Sequence, residues 1–202
     1  MGTPPTVERG GRMERRSMGL RDWFRRNGGA PGRAAREWHA AWEAAVTALD
    51  HEAPARLEAW LQRDPALAED AEIETEMLEA LREALALEHD LAASRLPVIE
   101  TTHRAAAGER CHYSAPVSMP DDPAQPTGRL LLTSGRVAFA GGSRTPSMPW
   151  HAARDVVRAG RDLIFVRAGA ADGYRFRCNT YVDAVRGAAI ARHLTRATRK
   201  EI

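Results

Sequence analysis

The chain has 202 residues, of which 44% are apolar and 28% are charged, so it has room for one large domain or two small ones and enough apolar side chains for a core. Its composition is not that of a disordered chain, and no segment approaches the ~20 apolar residues that a membrane-spanning helix needs. Two cysteines are too few for a disulfide scaffold, and no apolar leader follows Met1, so we expect a cytoplasmic protein in a reducing compartment. The net charge of the whole chain is only +2.

Residues 1 to 33 are rich in glycine, proline and arginine, a mixture that predicts a mostly disordered tail. Within the tail, three apolar side chains lie at offsets of three and four, as on one face of a short helix, and arginines follow them. This segment is suited to contact an anionic membrane surface, and packing on the folded body is the alternative. It also has the form of the start of a bacterial protein, which makes Met18 an alternative first residue. The predicted membrane-contact residues are Leu20, Trp23, Phe24, Arg25 and Arg26.

Residues 34 to 103 are predicted to form three helices, and they belong to an acidic block, residues 37 to 103, with a net charge of −12. The helices are expected over Ala34 to Leu49, Pro54 to Gln62 and about Glu69 to Ala93. The second helix should end at Asp64, because Pro65 disfavours helical geometry at the residue before it. The carboxylates are interpreted as a solvated outer face, with a metal or partner site as the alternative. The buried face of the third helix is predicted to contain Ile73, Met77, Leu81 and Leu85, with Leu78, Leu87 and Leu91 beside them.

After Pro97 the apolar period changes to two, with turn signals every eight to twelve residues, which predicts a small antiparallel β domain beginning near Gly108. Residues 104 to 202 carry a net charge of +8. The expected strands are Cys111 to Val117, Gly128 to Thr133, Arg136 to Phe139, Thr145 to Trp150, Asp155 to Ala159, Asp162 to Arg167 and Tyr174 to Cys178. A final amphipathic helix should begin at Asn179 or Thr180 as its cap, and residues 197 to 202 form a short tail.

One segment resembles a known family. Gly128-Arg-Leu-Leu-Leu-Thr-Ser-Gly-Arg-Val-Ala-Phe139 is similar to the hairpin G-x-L-x-L-T-x-x-R-hydrophobic-x-F of GRAM and bacterial PH-like domains, and Pro149 to Val157 fits the segment that follows it. The resemblance covers about residues 108 to 196. It implies an α+β fold in which a helical N-terminal region precedes a PH-like seven-stranded antiparallel β sandwich or barrel, made of two packed sheets and capped by the C-terminal helix. The fold-defining hairpin residues would be Gly128, Leu130, Leu132, Thr133, Arg136 and Phe139.

Other classes of function find little support in the residues. Cys111-His112 places its two side chains on opposite faces of a strand, and the common catalytic and phosphate-binding motifs do not occur, so we expect no enzyme and no cofactor. The two cysteines are interpreted as core residues, and a zinc site from Cys111, Cys178 and His151 lacks a recognisable ligand spacing. The arginines accompany no aromatic platform or major-groove helix, so no specific nucleic-acid partner is expected.

The sequence thus predicts a non-catalytic binding or scaffolding module, with a protein partner favoured. The alternative is a peripheral membrane protein at the inner face of the membrane, although specific phosphoinositide binding is disfavoured because the loop from Pro120 to Thr127 has two carboxylates and no base. The opposite charges of the blocks predict that the acidic third helix lies against a basic face of the β domain, within one molecule or in a homo-oligomer. The predicted ligand or partner contacts are Arg129, Arg136, Trp150, His151 and Arg154, with a structural role in the turn as the alternative for Arg136.

Overall fold

The structure is a computed structural model that describes residues 32–68, 71–93, 95–141, 146–169 and 173–200. Its helices are α1 (Arg33–Ala48), α2 (Ala53–Arg63), α3 (Pro65–Ala68), α4 (Glu72–Ala92) and α5 (Tyr181–Lys200). Its strands are β1 (Cys111–Ser118), β2 (Thr127–Thr133), β3 (Arg136–Ala140), β4 (Ser147–Pro149), β5 (Ala153–Ala159), β6 (Asp162–Arg167) and β7 (Gly173–Cys178). Short 3-10 turns occupy Arg104–Ala106 and Trp150–Ala152. The predicted membrane contact, residues 20 to 26, lies outside the described residues.

The N-terminal helices bury one another through the tryptophans of α1. Trp38 and Trp42 are fully buried, and a buried indole N–H needs an acceptor. Trp38 donates to the Leu57 carbonyl of α2 at 3.1 Å, and Trp42 donates to the Met77 carbonyl of α4. The indoles thus join α1 to both of its neighbours. As predicted, α2 ends before the Asp64-Pro65 pair.

Helix α4 differs from its prediction at the N-terminal end. It begins at Glu72, and Ile73, which was expected in the core, is 52% exposed. The buried position belongs instead to Glu74, whose carboxylate bonds His39 of α1 at 2.7 Å. Since Glu74, Met77, Leu78 and Leu81 share one helix face, that face turns Ile73 outward. The prediction for Ile73 was therefore wrong, whereas Met77 and Leu81 are buried as expected.

The strands form one seven-stranded antiparallel sheet in the order β4-β3-β2-β1-β7-β6-β5. Strand β1 pairs along its length with β2 but with β7 only through Val117 to Cys178 and Ser118 to Arg177. Two sheets were expected; in the structure, the two halves remain joined because the end of β1 pairs on both sides. The α+β class, the antiparallel strands and the final helix agree with the prediction. The β2–β3 hairpin pairs Leu130 with Phe139 and Leu132 with Val137.

The two halves of the sheet share one aromatic core. Phe139 of β3 stacks on Phe176 of β7 with ring centroids 5.9 Å apart, and Trp150 lies 6.4 Å from Phe165 of β6. Leu163, not Ile164, points into this core. Helix α5 covers the same core and begins as expected, because the Thr180 hydroxyl accepts the Asp183 N–H at 3.0 Å.

The start of β1 departs from simple alternation. The register shifts between Cys111 and Tyr113, so Tyr113 enters the main core while Cys111 joins a separate cluster with Ala106 and Leu131 on the other side of the sheet. A bulge adds one residue and reverses which side the following residues face. Cys111 therefore does not share the face of Tyr113, Ala115 and Val117, as it would in the regular strand predicted from Cys111 to Val117.

Candidate functional site

Helix α5 lies between the helical layer and the sheet. Its Tyr181, Val182 and Val185 pack with the core of the N-terminal helices, whereas Ala184, Ala188 and Leu194 pack with the core of the sheet. A Cβ added at Gly187 would lie 2.8 Å from Leu163 and 3.1 Å from Tyr113, so glycine allows the helix to approach the sheet closely. Residues of both layers therefore meet along the exposed sides of α5.

Arg158 of β5 joins the sheet to α1. Its guanidinium lies 4.9 Å from the centroid of the Trp42 ring and forms an ion pair with Glu43, and its side chain is only 5% exposed. It also donates to the Gly160 carbonyl at 3.0 Å. A buried charge requires partners of this kind. Trp42 in turn contacts Tyr181 edge to face at 5.6 Å, so the contact extends to α5.

Beside this contact is a cleft of about 330 Å³ between α1, α4, α5 and the end of β5. One part of its wall is apolar and aliphatic, and the other part carries three arginines and one glutamate. The apolar residues are Val46, Leu49, Ala84, Leu91, Ala92, Val185, Ala188 and Ala189. The polar residues are Thr47, Glu88, Arg158, Arg192, His193 and Arg196.

The arginines of the cleft differ in how they are paired. Arg158 has Glu43, but no carboxylate among the described residues forms an ion pair with Arg192 or Arg196. Arg192 is exposed and donates its Nε to the Val156 carbonyl at 3.0 Å, so its other N–H groups remain available to a ligand in the cleft. Burial lowers the pKa of Arg192 from its ordinary value, the neighbouring Arg158 and Arg196 charges lower it further, and the Asp155 carboxylate opposes them in part. The local field therefore favours an anion.

Helix α5 continues this charge along the edge strand β5. Arg192, Arg196 and Arg199 are spaced four and three residues apart, which places them on one face of the helix. Arg199 donates to the carbonyls of Ala153, at 3.2 Å, and of Arg154. We call Arg154, Arg192, Arg196 and Arg199 the basic face. Among the described residues, none of its four guanidiniums forms an ion pair with a carboxylate, although Asp155 is near Arg192.

The residues predicted from the sequence to contact a partner are only partly brought together. His151 and Arg154 are exposed; Arg154 belongs to the basic face, and His151 precedes it by three residues. Trp150 is 1% exposed and donates its indole N–H to the Thr133 carbonyl at 2.8 Å, so its side chain belongs to the core. Arg129 is exposed near the other end of β2, where it donates to the Ser114 hydroxyl at 3.0 Å.

Arg136 and Thr133 have a structural role at the hairpin turn. Arg136 forms an ion pair with Glu109, and the Thr133 hydroxyl accepts the backbone N–H of Arg136 at 3.0 Å and donates to the same carboxylate. These bonds lower the pKa of Glu109 below its ordinary value, with the Arg136 hydrogen bond as the largest cause. We call these three residues the hairpin clasp. Arg136 therefore has the structural role in the turn that the sequence analysis gave as the alternative to partner contact.

Sequence reasoning missed Arg158, Arg192 and Arg196 as site residues. The spacing of Arg192 and Arg196 on a predicted amphipathic helix was an available signal, since it places both on one side. Nothing local indicated that this side faces α1 and α4. For Arg158, the sequence showed only that it belongs to a short strand and gave no sign that it contacts α1.

The thiols and imidazoles do not assemble into a reactive centre in the part of the chain that the structure describes. Cys111 and Cys178 are both buried and free, and burial raises the pKa of the Cys178 thiol to about 12. The His112 ring bonds the Pro97 carbonyl at 2.7 Å. Over the described ranges, no group of three His, Cys, Asp or Glu side chains is arranged to hold a metal ion. Nor is any helix there long and apolar enough to cross a membrane.

Comparison with known proteins adds no assignment: the sequence matches no protein-family model and no curated protein.

Proposed function

We propose that this protein is a non-catalytic binding or scaffolding module built on a PH or GRAM-like domain, and that its partner is a protein with an acidic surface. The observation that carries the proposal is the basic face. Four arginines lie along the outer edge of β5 and on α5, and none of them forms an ion pair with a carboxylate among the described residues. An acidic partner would supply the missing carboxylates, and charge complementarity of this kind speeds association and selects partners.

The PH or GRAM-like assignment is supported by the order of elements along the chain. A hairpin with the resembling sequence lies in a seven-stranded antiparallel sheet, and one helix follows the last strand. Fold and function are separate matters, because one fold can serve many ligands. The proposal therefore depends on the charged surface more than on the topology.

Affinity capture followed by chemical cross-linking tests the protein partner. Arg154→Glu reverses the charge of an exposed residue of the basic face, and Arg110→Glu makes the same change at an exposed residue at the start of the β-rich region. We expect the intact chain and Arg110→Glu to capture the same protein from a lysate of the source organism, cross-linked at β5 or α5, and Arg154→Glu to lose it. Equal capture by all three would refute the basic face as the docking surface.

The second candidate is the peripheral membrane protein, because the basic face and the Trp23-Phe24-Arg25-Arg26 segment both suit an anionic surface. Flotation with vesicles containing phosphatidylglycerol tests it. We expect binding that weakens with added salt and that needs residues 1 to 33. If the shortened chain floats as well as the full chain, that segment is not the anchor. If neither floats, the protein-partner proposal stands alone, and sedimentation then shows whether the partner is a second copy of the chain.

A further inference from the structure

We infer that the cleft between α1, α4 and α5 binds a small aliphatic anion, an alkyl carboxylate or alkyl phosphate, whose head is held by Arg192 and Arg196 and whose chain lies on the aliphatic wall. The aliphatic wall belongs to the cleft alone, but Arg192 and Arg196 also belong to the basic face that the proposed protein partner would use. A small molecule and a docked acidic partner would therefore compete for these two guanidiniums, and calorimetry on the isolated chain measures the small molecule alone.

The charge of the ligand follows from the pairing within the cleft. Glu43 neutralises Arg158, so the unpaired charges of the lining are Arg192 and Arg196 against Glu88. Arg192 uses one N–H on the Val156 carbonyl, and Arg196 has no hydrogen-bond or ion-pair partner among the described residues. Two guanidiniums on consecutive turns of α5 present several N–H donors to one oxyanion. Carboxylates and phosphates match that arrangement.

The body of the ligand follows from the rest of the wall. Its apolar lining consists of alanine, valine and leucine, and the described lining residues include no Phe, Tyr or Trp; the one ring among them is the imidazole of His193, on the polar side. Trp42 lies on the far side of Arg158 and belongs to the core. The wall therefore gives a flat aromatic ligand such as a nucleobase no Phe, Tyr or Trp ring, whereas an alkyl chain gains from burial against aliphatic side chains.

The size of the cleft limits the length of that chain. A volume of about 330 Å³ is at the low end of the range of roughly 300 to 1,000 Å³ for small-molecule pockets. One medium-length chain with a single head group suits that space better than a phospholipid with two chains. The cleft is also partly open to solvent along Arg196, so the charged head can remain partly hydrated.

Isothermal titration calorimetry of the full chain with octanoate tests both halves of the inference. We expect octanoate to bind, hexanoate to bind about tenfold more weakly because each buried methylene contributes a factor of about three to four, and acetate and octanol to show no measurable binding. Octyl phosphate distinguishes the two anionic heads. Equal binding of octanoate and octanol would refute the role of the arginines, and equal binding of octanoate and hexanoate would refute the role of the wall.

Substitutions in the lining test the location of the site, and we expect them to change the affinity for octanoate in opposite directions. Arg192→Gln and Arg196→Gln should each weaken octanoate binding at least tenfold, while Glu88→Gln should strengthen it severalfold by removing the one acidic lining residue. Ala189→Met should block the cleft, since Ala189 lines it and is only partly buried. Arg110→Gln is the matched control and should bind as the unchanged chain does. Circular dichroism confirms that each variant is folded.

Two further outcomes are informative. Folded protein that binds neither octanoate nor octyl phosphate would overturn the inference while leaving the capture of a protein partner untouched. Binding that persists in Ala189→Met, or that occurs only above the concentration at which the probe forms micelles, would place the interaction on the surface and would also overturn it. Loss of the protein partner in Arg154→Glu with normal octanoate binding would show that Arg154 serves the partner and not the small molecule, in agreement with its absence from the described lining of the cleft.

Discussion

Asp162 is a buried carboxylate held by two arginines of the neighbouring strand. Its oxygens accept hydrogen bonds from Arg177 Nε at 2.8 Å and from Arg175 Nε at 3.0 Å. The Arg177 bond is the largest cause of its lowered pKa, burial opposes that effect, and Arg175 adds to it. Because β6 pairs with β7 at this point, these bonds fix the β6–β7 pairing at the beginning of β6.

We predict that Asp162→Asn lowers the free energy of unfolding by about 1 to 3 kcal/mol near neutral pH, because two half-exposed guanidiniums lose an ionised acceptor. The folded pKa lies below the ordinary value of 3.8, so the stabilisation is complete above that value and is lost as the pH falls through the lower folded pKa. The difference between the two proteins should thus be constant above about pH 5 and should shrink below about pH 4. Urea unfolding at several pH values measures it.

Glu79→Gln is the control, because Glu79 is exposed on α4 and has no ion pair among the described residues. Its free energy of unfolding should stay within about 0.5 kcal/mol of that of the unchanged protein. A difference between Asp162→Asn and the unchanged protein that grows as the pH falls below 4 would contradict the assigned pKa direction.

At the scale of single residues, burial was more predictable from the sequence than pairing. Leu130, Leu132, Val137 and Phe139 could be placed in the core because alternation within one strand is local information. Asp162 could not be matched with its arginines, since that choice depends on the register of strands separated by a turn. Ile73 shows that even burial could be mispredicted. The buried face of the helix is rotated by one residue from the predicted face, so Glu74 is buried where Ile73 was expected.

The β2–β3 hairpin shows how one element depends on a residue outside it. Glu109 precedes β1, yet its carboxylate reaches the far turn of the hairpin and accepts from Thr133, Arg136 and the Gly135 N–H, the last at 3.3 Å. A Cβ at Gly135 would lie 2.9 Å from that carboxylate, so a larger residue there would require the Glu109 side chain to shift. The hairpin clasp thus holds together the start of β1 and the β2–β3 turn.

We predict that Glu109→Gln lowers the free energy of unfolding by about 1 to 2 kcal/mol, because a neutral amide cannot replace the charge-assisted bonds to Arg136. The loss should be local, so amide exchange at Gly135 and Arg136 should accelerate more than exchange at Leu131. Hydrogen exchange followed by NMR measures this. Glu100→Gln, at an exposed residue before the β-rich region, should change neither quantity; uniform acceleration throughout the sheet would show that the clasp has no special role in the turn.

The strands and the hairpin were predictable as elements because their signals are short in sequence, such as the Ser134-Gly135 turn and the period of two. The single sheet was not, because it depends on two residue pairs between β1 and β7, more than fifty residues apart. The bulge at the start of β1 was also missed. Its sequence alternates normally, and only the partner strand shows that one residue is extra.

On the scale of the whole molecule, opposite charges and an aromatic contact join the helical layer to the sheet, as the charge blocks predicted. The acidic helix α4 lies along the arginine-bearing α5, with Glu83 3.8 Å from Arg186 and Glu76 accepting the Tyr181 N–H. Residues from Arg33 onward form one compact unit. The sequence could predict that the layers attract each other but could not predict the cleft, which forms only where α1, α4, α5 and β5 come together.

We predict that only those α4 glutamates that face α5 hold the two layers together. Glu76→Gln with Glu83→Gln should lower the free energy of unfolding by about 1 to 2 kcal/mol, because the pair loses one bond to a backbone N–H and one half-exposed ion pair. Glu72→Gln with Glu79→Gln removes the same charge from the same helix at exposed positions and should change it by less than about 0.5 kcal/mol. Amide exchange in the first turn of α5 should accelerate in the first pair alone. Equal effects of the two pairs would mean that the net charge of α4, and not its contacts with Tyr181 and Arg186, governs the association of the layers.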